Sequence, residues 1–184
     1  TINANATLQL GSTTALGSTT AGTSITSGGV LDLNGTNYSA AEALTVNGTG
    51  ISSNGAIKNT NATSSTYGGA ITLGSASSIV GGTGSITLSG GITGAFGLTL
   101  GGAIGGTVSG AIAAGTGSIV KADAGTWTLS AANLYTGTTT INAGTLALGI
   151  NSAIKTGNPG GGVVMGGGTF STGTYSEGSS SSNN

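Results

Sequence analysis

Histidine, cysteine and arginine are missing from this 184-residue chain, and proline occurs once, at Pro159. Charge is almost as scarce, with three basic and four acidic residues, where charged side chains make up about 25% of an ordinary soluble domain. A formal net charge of −1 offers no electrostatic reason for binding nucleic acid or anionic lipid. Without histidine, general acid–base chemistry falls to carboxylates, and Asp32, Glu42, Asp123 and Glu177 are scattered with no partner nearby in sequence. Catalysis by a carboxylate pair is therefore not expected. Nor is a cofactor or a metal site. Asp32 alternates with Leu31 and Leu33 and is expected to face solvent.

What is present is small, apolar or hydroxylated. Hydrophobic residues are 36% of the chain, mean hydropathy is +0.28, and there are 39 glycines. Disorder normally needs low hydrophobicity and high net charge, so a packed fold is expected. Glycine breaks helices, and threonine and serine fill the positions that glutamate, lysine and arginine occupy in helical proteins. The chain is read as all-β and, from its length, as one domain. Ser39–Leu44 has room for one helical turn at most.

Strand-like runs lie at 7–10, 23–26, 29–33, 44–46, 70–73, 85–88, 97–100, 126–129, 138–142 and 144–148, mostly bounded by glycine or asparagine. Shorter apolar runs occur at Ile79-Val80, Ile119-Val120 and Val163-Val164. In Ile71-Thr72-Leu73, Ile86-Thr87-Leu88, Leu98-Thr99-Leu100 and Trp127-Thr128-Leu129 the outer pair shares one face and threonine takes the other. Stacked coils of uneven loop length produce this pattern, with Leu73, Leu88, Leu100, Leu129 and Leu148 pointing into one narrow core. Thr1-Ile2-Asn3-Ala4 recurs at Thr140-Ile141-Asn142-Ala143, so residues 1–16 resemble 140–154. The solenoid is expected over 1–178, followed by a flexible Ser/Asn tail at 179–184. No signal peptide opens the sequence, which suggests a mature secreted product or an excised fragment.

Residues 125–149 carry the most specific signal: the Gly125-Thr126-Trp127-Thr128-Leu129 strand, a turn at Asn133, Tyr135, the Gly137-Thr138-Thr139 corner and the Asn142-Ala143-Gly144-Thr145-Leu146 strand. This stretch resembles the autotransporter-associated β-strand repeat, also called the passenger-associated transport repeat. The resemblance implies a right-handed parallel β-helix, or β-solenoid, on the surface of a bacterial cell.

Other motifs weaken on inspection. Gly81–Ile86 begins like a calcium-binding nonapeptide, but Ile86 stands where the aspartate is needed. Gly149–Thr156 has Ile154 in place of the glycine before the lysine of a phosphate-binding loop. Residues 101–120 are uncharged, but seven glycines and no basic flank argue against membrane insertion. Sequons start at Asn5, Asn34, Asn37, Asn47 and Asn61, at a density that the abundance of asparagine and threonine explains. Tyr38, Tyr67, Trp127, Tyr135 and Tyr175 either stack sugars or cover a solenoid face. Ice binding by a threonine face ranks last, because Thr-x-Thr triplets such as Thr126-Trp127-Thr128 and Thr138-Thr139-Thr140 are few and not regularly spaced.

Two functions remain. One is a non-enzymatic extracellular subunit stacking head to tail into a filament through Thr1, Ile2, Leu8 and Leu10 at one end and Val163, Val164, Phe170 and Tyr175 at the other. The partner is then a second copy of the chain. The alternative is a passenger fragment of an autotransporter adhesin, for which surface glycans are the second class of partner.

Overall fold

A computed structural model describes residues 1–156, 161–175 and 178–179. The chain winds as a parallel β-solenoid with three faces around one continuous core. Face A holds, in order, Thr7–Gln9, Val30–Asp32, Ile57–Asn59, the end of Ile71–Gly81, Leu98–Gly101, Ile119–Lys121, Thr139–Ile141 and Val163–Met165. Face B holds Asn37–Tyr38, Ser65–Tyr67, Ile86–Leu88, Gly105–Val108, Thr126–Leu129, Thr145–Leu148 and Thr169–Ser171. Face C holds Thr23–Ile25, Leu44–Gly48, the start of Ile71–Gly81, Ile92–Thr93 and Ile112–Ala113, with Ile2 bridged to Ile25 in front. Lys155–Thr156 pairs with Gly178–Ser179. The Ser/Asn tail, apart from Ser179, lies outside the described residues.

Alternation of side chains across each strand builds the core. In Ile86–Leu88 and Leu98–Leu100 the outer residues are buried and the central threonine is half-exposed. Stacking then turns each buried position into a ladder along the solenoid axis. On face A one ladder runs Leu8, Leu31, Ile57, Ile79, Leu100, Lys121, Ile141, Met165. On face B another runs Tyr38, Tyr67, Leu88, Val108, Leu129, Leu148. Leu73, Leu88, Leu100, Leu129 and Leu148 all lie in the core. This is how a solenoid replaces a globular interior, each coil packing only on its neighbours.

Corners use backbone that a side chain would obstruct. Gly102 sits at φ 102°, where an added Cβ would run into the Gly81 carbonyl one coil away. Ser39–Leu44 forms no helical turn, and the helical turn among the described residues is the 3-10 segment Ile51–Ser53. The reason is inter-coil bonding: the Tyr67 hydroxyl donates to the Glu42 carbonyl (2.7 Å), and the Thr23 hydroxyl donates to Glu42 Oε1 (2.7 Å). These tie the segment into the corner before Leu44–Gly48.

The two copies of Thr-Ile-Asn-Ala occupy different faces. Ile2 belongs to face C, whereas Ile141 belongs to face A. The local pattern repeats, but its place on the coil is rotated by one face.

Candidate functional site: the open ends and the buried polar groups

Both ends of the solenoid leave a strand with a neighbour on one side among the described residues. At the first end Thr7–Gln9 pairs only with Val30–Asp32; at the other, Val163–Met165 pairs only with Thr139–Ile141 and Thr169–Ser171 only with Thr145–Leu148. The same face A ladder terminates at both ends, in Leu8 (36% exposed) and in Met165 (52% exposed). Phe170, half-buried, ends the face B ladder that runs through Trp127 and Leu146. A shallow hollow of about 270 Å³ at the first end is lined by Thr1, Ile2, Asn3, Ala6, Thr7 and Leu8.

The eight residues expected to mediate self-association therefore divide. Thr1, Leu8, Val163 and Phe170 lie at the ends. Ile2 and Leu10 are already buried within their own coil, and Leu16 from the following loop packs on the core. Val164 points outward from face A, 50% exposed, and Tyr175 is 40% exposed. Met165 ends the ladder among the described residues. Its spacing from Val163 was the available signal, since alternate residues of a strand share a face.

Asp32 does not face solvent. It is 3% exposed, because Thr60 and Gln9 from adjacent coils close over it. The Thr60 hydroxyl donates to Oδ2 (2.5 Å) and the Thr60 N–H to Oδ1 (3.1 Å). The Asn34 N–H donates to Oδ1 (3.0 Å) and the Gln9 amide to Oδ2 (3.2 Å). Burial raises its pKa, but these hydrogen bonds to the charged form win and hold it below the ordinary carboxylate value.

Three further polar groups act as staples between coils. Asn59 is fully buried: its amide donates to the carbonyls of Thr63 (2.8 Å) and Ser85 (3.1 Å), and its oxygen accepts from Gly35 N–H (3.0 Å) and Asn61 N–H (3.2 Å). Lys121 occupies an inward ladder position, and its ammonium turns to the corner, donating to the carbonyls of Ala122, Asp123 (2.8 Å) and Ala143 (3.0 Å). Burial lowers its pKa, partly opposed by the Asp123 charge. Asn133 accepts from Ile112 N–H (2.7 Å) and donates to the Ala153 carbonyl (2.6 Å), so one side chain spans three coils.

The aromatics form no sugar-stacking platform on the exterior. Tyr38, Tyr67, Trp127 and Tyr135 are at most 2% exposed. Tyr38 and Tyr67 stack inside with ring centroids 5.8 Å apart. Burial, followed by the charge of Glu42, raises the pKa of both hydroxyls. Trp127 Nε1 donates to the Gly101 carbonyl (2.9 Å), and Gly106 beside it on the ladder leaves room for the indole. Ile86 is a core residue, which makes Gly81–Ile86 a corner, and Ala153 and Ile154 bury in the core within the 149–156 loop. Several sequon asparagines serve the coil stack: Asn34 donates to the Leu10 carbonyl (3.1 Å) and Asn47 to the Ile25 carbonyl (3.0 Å). Glu177 lies outside the described residues. No group of three acidic, histidine or cysteine side chains that would hold a metal occurs among the described residues.

Residues 119–148 make two strands on face A and two on face B, Ile119–Lys121, Thr126–Leu129, Thr139–Ile141 and Thr145–Leu148, with the Asn133–Tyr135 turn on the third side. This span matches the family model of the passenger-associated transport repeat. The chain carries that repeat. The match begins six residues before the stretch singled out in the sequence, taking in the Ile119–Lys121 strand. No curated protein and no solved structure matches the chain. The transport repeat and the solenoid together suggest a passenger-type module, and with it a secreted or surface location.

Proposed function

We propose that this chain is a non-enzymatic extracellular structural module whose end coils add further coils of the same kind, copy upon copy, head to tail. The carrying observation is that one inward ladder begins in exposed Leu8 and ends in exposed Met165. Placing Met165 of one copy beneath Leu8 of the next continues that ladder, and Thr7–Gln9 continues the Val163–Met165 strand edge at about 4.8 Å. The two ends are different surfaces, so the contact is heterologous and propagates. Charges and proline, which usually block a strand edge, are absent from Thr1–Leu10.

The apolar contribution is modest. Leu8, Val163, Met165 and Phe170 are each partly covered already, and full burial of such a chain is worth about 1.5–3 kcal/mol. Together they reach only the lower edge of the ~4–15 kcal/mol that association costs. The ladder hydrogen bonds must supply the remainder, so stacking is reversible and grows with concentration. Negative-stain microscopy and sedimentation across a concentration series test this. Rods of solenoid width that lengthen with concentration, and that shorten when a charged, proline-containing segment is fused before Thr1, are the expected result. A folded wild type that stays monomeric throughout sinks the proposal.

A second reading, a passenger segment of an adhesin, is favoured by the match at residues 119–148. In it the same end coils pair with further coils of one longer chain. Binding on a glycan array by protein that stays monomeric selects this reading.

A further inference from the structure

We propose that face B of the solenoid is an ice-binding surface. The claim rests on the outward side chains of that face and not on stacking of the ends. One outward row runs Thr66, Thr87, Thr107, Thr128, each opposite the next across the parallel ladder. A second row, two residues earlier on each strand, carries Thr126, Thr145 and Thr169 in register, preceded by Gly105 as a gap and by serines. The pattern is hidden in the sequence because serine, glycine or alanine replaces threonine on several coils.

Every strand of face B is uncharged. The aromatic residues on it point inward or end the core ladder. A soluble small ligand needs a concave site, and a protein partner needs aromatic or arginine anchors; the outward rows offer neither. A two-dimensional, neutral, hydroxylated lattice matches a neutral partner that is itself periodic in two dimensions.

The spacings identify which one. Coils repeat at about 4.8 Å, and residues two apart on a strand are separated by about 6.6 Å. Oxygens joined tetrahedrally by hydrogen bonds of about 2.75 Å repeat every ~4.5 Å within a layer and every ~7.3 Å across layers. The two lattices agree to within about a tenth in each direction. Threonine is suited to hold that register, because its branched Cβ restricts the hydroxyl to few rotamers. The γ-methyl beside each hydroxyl leaves water there fewer competing partners.

The test is adsorption to growing ice from dilute solution, with microcrystalline cellulose as the alternative periodic hydroxylated solid. Wild-type protein is expected to be enriched in the ice fraction and to inhibit recrystallisation. The double variant Thr107→Tyr/Thr128→Tyr, or the exposed single variant Thr126→Tyr if the double fails to fold, is expected to lose both effects at unchanged melting. Thr72→Tyr on face C is expected to keep both. Exclusion of the wild type from ice, equal loss in the face C variant, or capture by cellulose without adsorption to ice each overturns the proposal.

Discussion

The coils before Gly81 and those between Ile86 and Leu148 are built on one plan with different materials. In the later coils, equivalent positions on face A recur at even steps, from Leu98 to Ile119 to Thr139. The ladders there are mostly aliphatic or aromatic. In the earlier coils the steps are longer and uneven, from Thr7 to Val30 and from Leu31 to Ile57, and Asp32, Glu42, Asn59, Ser65, Ser77 and Ser78 are buried. Extra residues in a coil make a loop, and a loop that crosses its neighbour brings backbone groups needing partners. Buried polar side chains supply them. Regular coils rely mainly on apolar stacking, with Lys121 and Asn133 as their polar staples, and irregular ones bury polar groups more often.

Four substitutions probe that contrast. The largest effect is expected from Leu129→Asp, which places an unpaired charge in a fully buried ladder position and should cost more than about 4 kcal/mol. Soluble, β-rich protein with wild-type melting by circular dichroism would contradict the regular-coil account. Trp127→Ala empties the largest buried side chain and orphans the Gly101 carbonyl, for an expected loss of ~3–5 kcal/mol in denaturant titration. Asp32→Ala, in the irregular half, strips four hydrogen bonds and should cost about 1–3 kcal/mol at neutral pH.

That third variant has a pH signature. The native pKa of Asp32 lies below its ordinary 3.8, so the unfolded state takes up the proton first on acidification. The stabilisation is complete above pH 3.8 and is lost as pH falls through the lower native value. Wild type should therefore show an acid limb in its melting temperature that is shallower in Asp32→Ala; identical limbs would remove Asp32 from that role. The smallest effect is expected at Thr72→Ala, exposed on face C, within about 0.5 kcal/mol by the same titration.

The same contrast decides what was legible beforehand. Ile-Thr-Leu and Trp-Thr-Leu triplets announce buried-outward-buried strands, and the ten longer runs of the sequence each overlap a strand. Ser65–Tyr67 and Gly105–Val108 escaped notice because serine and glycine occupy their inward positions. Asp32 was misread because alternation says which way a side chain leaves its strand and nothing about what lies over it. Thr60 and Gln9 come from other coils, and only the uneven step from Leu31 to Ile57 hints at the extra chain. The end site was half legible: Leu8 and Val163 follow from alternation, while the burial of Ile2 and Leu10 depends on contacts with the next coil that alternation does not give. The hydroxyl rows of face B needed the register, which sequence spacing alone does not reveal.

Asn133 has a mechanical consequence. Ladder hydrogen bonds run along the solenoid axis, so tension on the two ends loads every bond of an inter-coil junction together, while a sideways pull unzips them singly. On face C the regular strands stop at Ile112–Ala113, and beyond them Asn133 clamps Ile112 to Ala153 through its side chain. Under load that amide shares the third side of the seam with the Leu134 N–H to Ile112 carbonyl bond (2.8 Å), so pulling there loads a side chain as well as the backbone.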